Sequence, residues 1–248
     1  MPLDRKEMKR PDAVLKSLQE GFEWSQLHLN TLLIIAIAVF LAAVCWVGFH
    51  SYHAKKEEKA TLVVNTAQQK FNQKFEELKK SKKENIIEGL SSELKELHEA
   101  SDTFPKTQAT LLSNLKLGDF YLEQKRFSEA ETAYEQVLHS GKHPLYKVLL
   151  FHNLGYLFEI SGNYSKAIEY FEKITQMQKK RILFWFYGYR PNAFWLSSAY
   201  FGMGRCYEKM GKFSEAKEMY GRVENQFAQT LFADKAQGLV SLVSSKGK

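Results

Sequence analysis

The chain has 248 residues, with 35 Lys and Arg against 28 Asp and Glu, a net charge of +7, and two cysteines. So modest an excess attracts anionic surfaces weakly, and beyond basicity there is no nucleic-acid signature. Cys45 and Cys206 cannot form a disulfide framework, which needs several pairs within reach of one another.

Residues 1–30 form an N-terminal tail in which Arg5, Lys6, Lys9, Arg10 and Lys16 balance Asp4, Glu7, Asp12, Glu20 and Glu23. Residues 31–50 then carry no Asp, Glu, Lys or Arg, and the run from Leu32 to Phe49 reads LLIIAIAVFLAAVCWVGF. As a helix its 18 residues span about 27 Å, close to the roughly 30 Å hydrocarbon core of a bilayer. Trp24 precedes it, and Trp46 and Tyr52 mark its far end, as an interfacial belt does. The segment is expected to be a single transmembrane anchor, represented by Leu32, Phe40, Trp46 and Phe49. A cleaved signal peptide fits poorly, because thirty residues precede the run and no small-x-small site follows it. Charge does not fix the sidedness: the tail holds five basic residues, but Lys55, Lys56 and Lys59 follow the span.

Beyond the anchor the apolar spacing is helical. Ala60, Val64, Ala67, Phe71, Phe75 and Leu78 share one face, as do Ile87, Leu90, Leu94 and Leu97, which predicts a helical pair over 54–101. Between them, Lys79-Lys80-Ser81-Lys82-Lys83 reads as a solvated turn. Three stretches then line up: LKLGDFYLEQKRFSEAETAYEQVL (115–138), HNLGYLFEISGNYSKAIEYFEKIT (152–175) and FGMGRCYEKMGKFSEAKEMYGRVE (201–224). Each places Gly (118, 155, 204), an aromatic three residues on (Tyr121, Phe158, Tyr207), Ala twelve after the Gly (130, 167, 216) and a second aromatic four beyond (Tyr134, Phe171, Tyr220). Gly and Ala are expected to let two antiparallel helices approach while the aromatics fill the space beside them. The turns fall at Gln124-Lys125-Arg126, Ser161-Gly162-Asn163 and Met210-Gly211-Lys212, with Ser128, Ser165 and Ser214 placed to cap each second helix.

This pattern resembles the tetratricopeptide repeat. The expected organisation is all-α: a tail (1–30), an anchor (31–50), a degenerate repeat-like pair (54–101), repeats at 109–140, 145–177 and 192–227, and a C-terminal capping helix (230–245). The capping helix has Ala233, Ala236, Leu239, Val240 and Val243 on one face, and the whole solenoid comes to about nine helices. The Gly-to-Gly spacing is 37 residues from Gly118 to Gly155 but 49 from Gly155 to Gly204, which marks 178–191 as an insertion. That insertion holds Phe184, Trp185, Phe186, Tyr187 and Tyr189. These aromatics have three readings: packing between longer flanking helices, a partner-binding surface, or membrane-surface contact.

No phosphate loop, nucleophile elbow or paired-cysteine motif is present, and the histidines lack metal-ligand spacing, so neither an enzyme nor a cofactor or metal site is expected. The resemblance implies that the first helix of each repeat lines the binding face. By position that face includes Leu115, Asp119, His152, Tyr156, Phe201 and Arg205. Repeats that clamp a C-terminal carboxylate carry Lys and Asn in the first repeat, where this chain has Leu115 and Asp119. Asn153 is the single match, and an apolar or mixed protein ligand is favoured.

The layout is similar to that of the ancillary subunit of the SecYEG translocon, a bacterial inner-membrane family whose repeat domain faces the periplasm. It implies a single-pass scaffold or chaperone-like adaptor whose partners are the translocon, chaperones or exported chains. An organellar outer-membrane import receptor and a structural assembly factor of an envelope complex stand as alternatives. The oligomeric state is left open.

Overall fold

The computed structural model describes residues 13–81, 85–140, 144–179 and 191–246, and among them every regular element is a helix. The chain divides into two compact units, Met1–Lys56 and Glu57–Lys248.

In the first unit α1 (Ala13–Leu27) leads into α2 (Leu29–Lys80). Backbone bonds from His28 to the Trp24 carbonyl and from Leu32 to the His28 carbonyl carry the helical pattern through the junction. The apolar part of α2 is long enough to cross a membrane, and none of that window is buried by protein. Leu32 is half-buried, while Phe40, Trp46 and Phe49 are exposed. A continuous exposed apolar surface of this extent makes the segment a candidate membrane span.

The helix does not stop where the composition changes. It runs unbroken for 52 residues, from the apolar run into the charged stretch. Gly48 is its only glycine, and Pro is absent.

In the second unit, the distal part of α2 packs with α3 (Ile86–Gly89) and α4 (Ser91–Thr103). The predicted second helix of this pair is interrupted at Leu90. Counting the distal part of α2 and the short α3, ten helical pieces appear among the described residues, where about nine were expected. Three helix pairs follow: α5 (Gln108–Glu123) with α6 (Phe127–His139), α7 (Pro144–Ile160) with α8 (Tyr164–Lys179), and α9 (Ala193–Lys209) with α10 (Phe213–Gln226). Helix α11 (Ala233–Lys246) closes the unit against α10, burying Ala233, Ala236 and Val243.

Local chemistry explains the boundaries. Thr107 and Asn192 accept from the amides of Thr110 and Trp195 at the starts of α5 and α9, and Pro144 opens α7, where a missing N–H costs nothing. The first helices of the three pairs end alike. Arg126, Asn163 and Lys212 donate their backbone N–H to the carbonyls of Tyr121, Phe158 and Tyr207 at 2.8, 2.8 and 2.9 Å, a Schellman closure in each case. Gly162 and Gly211 supply the left-handed residue at φ +84° and +74°, and Lys125 adopts φ +57° at the same place.

Two expectations are corrected here. The serines do not cap the second helices: the cap positions of α6 and α10 are Arg126 and Lys212, without side-chain bonds, and in α8 Asn163 Oδ1 accepts from the Lys166 amide. The Schellman turn places Ser128, Ser165 and Ser214 two residues too late for that role. Nor do the repeat aromatics fill space beside the glycines, because the rings lie on them. A Cβ on Gly118, Gly155 or Gly204 would stand 2.4, 2.7 or 2.5 Å from the ring of Tyr134, Phe171 or Tyr220. The face of Phe171 also meets Gly202 of the next pair, where a Cβ would stand 2.6 Å away.

Candidate protein-binding face

Helices α5, α7 and α9 present the residues proposed from sequence, and the structure joins several of them. Asp119 accepts the Tyr134 hydroxyl at 2.6 Å and the Asn153 side-chain amide at 3.4 Å, which links α5 to α6 and α7. Part of the Asp119 side chain reaches solvent, yet desolvation raises its pKa above the usual carboxylate value, opposed by the Tyr134 hydrogen bond. Arg205 donates from Nε and Nη2 to the two oxygens of Glu159 at 2.5 and 2.6 Å, a bidentate pair across α7 and α9, and its guanidinium lies 5.1 Å from the Phe201 ring centre. Phe201 is buried and packs against Tyr220 and Phe232.

His152 is a packing residue. Its Nε2 lies 2.8 Å from Ser198 Oγ on α9, its ring rests between Phe171 and Trp195, and burial lowers its pKa. Leu115 is half-buried, and Tyr156 is open to solvent. Among the described residues, Leu112 (42% exposed), Tyr156 (44%) and Ile160 (46%) are the large apolar side chains left open on α5 and α7. Leu112 and Ile160 were not singled out from sequence, although each lies one helical turn from a residue that was. Their spacing from Leu115 and Tyr156 was the available signal.

The face is mixed in character: apolar side chains stand beside the Asp119–Asn153 hydrogen bond and the Glu159–Arg205 ion pair, in which the cation is already taken up by a carboxylate. Asn153, the one residue that matched a carboxylate clamp, is engaged with Asp119. Among the described residues no group of three His, Cys, Asp or Glu is placed to hold a metal ion. Cys206 is buried, and its thiol is pushed up to about 12 by desolvation and then by the Glu159 charge, so it is a packing residue rather than a nucleophile. Phe184, Trp185, Phe186, Tyr187 and Tyr189 lie outside the described residues.

A family model for a tetratricopeptide repeat-like domain matches residues 23–178, more than half of the chain, and a tetratricopeptide-repeat model matches residues 198–230. The two matches leave out residues 179–197, the region of the inserted aromatics. No curated protein matches the chain.

Proposed function

Because the chain belongs to the tetratricopeptide repeat-like family, whose domains are protein-interaction scaffolds, we propose that it is a membrane-anchored adaptor of the bacterial envelope. In this reading α2 crosses the inner membrane once and the repeat unit lies in the periplasm. The face of α5, α7 and α9 then binds translocon components, chaperones or exported polypeptides. The proposal assigns the chain no catalytic step and no cofactor.

The observation that carries it is the open apolar set Leu112, Tyr156 and Ile160 beside the Asp119–Asn153 and Glu159–Arg205 contacts. The Glu159–Arg205 ion pair and the Asp119–Asn153 hydrogen bond are made within the chain, so affinity for a partner comes mainly from burying the apolar groups. The uncovered apolar part of α2 supports the anchor.

A photo-crosslinking residue at position 156 or 160, introduced into the full-length protein in living bacteria, tests this reading. Crosslinks to translocon subunits, periplasmic chaperones or chains in export are expected, from protein that resists carbonate extraction. Protease added to cells stripped of their outer membrane should digest the repeat unit. Crosslinks to cytosolic proteins alone, with the repeat unit protected, would favour the opposite orientation and sink the proposal.

A further inference from the structure

Helix α1 has two opposed faces. Leu18, Phe22 and Ser25 recur at helical spacing on one, and Lys16, Glu20 and Glu23 recur at the same spacing on the other. The charged face is that of a helix in water, with Lys16 Nζ 4.0 Å from Glu20. The apolar face has no cover within the chain: Leu18 is 63% exposed and Phe22 64%. Its one polar member is satisfied inside the helix, since Ser25 Oγ donates to the Phe22 carbonyl at 2.7 Å. Leu27, also exposed, falls on the charged side but adjoins the start of α2.

What lies within reach of this face is set by α2. With Leu32 at the edge of the hydrocarbon, His28 stands about 6 Å outside it, within a headgroup layer about 5–7 Å deep. The helical run is interrupted at that same residue, where α1 ends at Leu27 and α2 begins at Leu29. The Trp24 and His28 rings pack 4.8 Å apart there, and an aromatic ring of this kind suits the headgroup level. Were α1 to continue in line with the span, Phe22 and Leu18 would stand about 15 and 21 Å beyond Leu32, in water. A turn at His28 brings both onto the bilayer surface. Backbone groups freed by such a turn meet water in the headgroup layer.

We infer that α1 is an interfacial helix, turned at His28 to lie along the phospholipid bilayer, with Leu18 and Phe22 at the acyl boundary and Lys16, Glu20 and Glu23 in water. Burial of apolar area drives this, because one lysine against two glutamates gives the polar face no attraction to anionic headgroups. A second copy of the chain or a protein partner would cover the same face, but the bilayer is the cover that α2 itself brings alongside. The inference rests on the reading of α2 as a membrane span and adds to it a second, surface-bound element on the N-terminal side.

The test uses the full-length protein in phosphatidylcholine vesicles, carrying Cys45→Ala and Cys206→Ala. A single nitroxide-labelled cysteine is placed in turn at positions 16, 18, 20, 22 and 23, and at 40 as the control for the span. Collisions with oxygen, which concentrates among acyl chains, and with a water-soluble nickel chelate read what surrounds each label. Labels at 18 and 22 should keep collision with oxygen and lose it with the chelate, while those at 16, 20 and 23 should do the reverse. Chelate contact at all five positions, with position 40 protected, would overturn the inference and leave the span standing. Labels at 18 and 22 shielded from both reagents would give the face to protein and overturn its assignment to lipid. Chelate contact at position 40 would refute the span, and the inference with it.

Discussion

Tyr134 donates its hydroxyl to Asp119, 2.6 Å away on the partner helix and fifteen residues back in the chain. The ring reaches that carboxylate by lying across Gly118. The third pair repeats the device, with the Tyr220 hydroxyl 3.2 Å from Glu208 beyond Gly204. The middle pair has Phe171, whose ring meets Gly202 and carries no hydroxyl to satisfy.

Removing the hydroxyl should therefore act on the acid. Burial raises the Asp119 pKa and the Tyr134 hydrogen bond lowers it, so Tyr134→Phe should raise it further. A carbon-detected carboxyl titration by NMR reads this directly. An acid with a raised folded pKa contributes stability that is full below its unfolded value of 3.8 and lost as pH rises through the folded value. A lower Asp119 pKa in the variant would contradict the geometry.

The Phe171 ring, set between Gly155 and Gly202, makes both positions intolerant of a methyl group. Gly155→Ala and Gly202→Ala each gain up to about 1 kcal/mol of helix propensity. Overpacking costs about 1–3 kcal/mol, so both should be net destabilising. Gly221, inside α10 with nothing near its missing Cβ, is the control. Gly221→Ala should stabilise by about 1 kcal/mol. Denaturant midpoints decide the matter, and in a Phe171→Ala background the Gly202→Ala penalty should vanish.

His152 gives the repeat unit an acid sensitivity. Its pKa is lowered by burial, so its contribution is complete above the unfolded value of 6.5 and lost as pH falls through the lower folded value. Midpoints measured from pH 7 downward should fall across that window. His152→Gln, which keeps a donor for Ser198, should flatten the dependence. An unchanged slope would mean that the ring is not held neutral.

Lys125 holds a backbone conformation that its counterparts leave to glycine. The left-handed region costs a side chain about 1–2 kcal/mol. Lys125→Gly regains part of this, less the extra freedom of the unfolded chain, and should stabilise by up to about 1 kcal/mol. Gly211→Lys should move the midpoint the other way.

Much of this architecture was legible in the residues. Gly118, Gly155 and Gly204 with the alanines twelve residues on gave the pairing of helices, although the glycines make room for the rings of Tyr134, Phe171 and Tyr220 rather than for the facing backbone. Gly162 and Gly211 announced their turns, whereas Lys125 had to be inferred by alignment. Gly202 was not legible: its partner Phe171 belongs to the preceding pair, and aligning repeats with one another compares positions within a unit and misses contacts between units. The continuity of α2 was hidden by the change from apolar to charged residues near residue 54. That change alters what surrounds a helix without altering its backbone bonds. Of the proposed face, Asp119, Tyr156 and Arg205 were reachable from repeat position, but the burial of Phe201 and His152 depends on which neighbours α9 finds.

Helices α7 and α8 meet α9 through Phe171 on Gly202, His152 beside Ser198 and Glu159 on Arg205. Two of these contacts join residues 46 positions apart, so the seam is a tertiary interface in its own right, and its loss would uncouple the last pair from the rest of the solenoid.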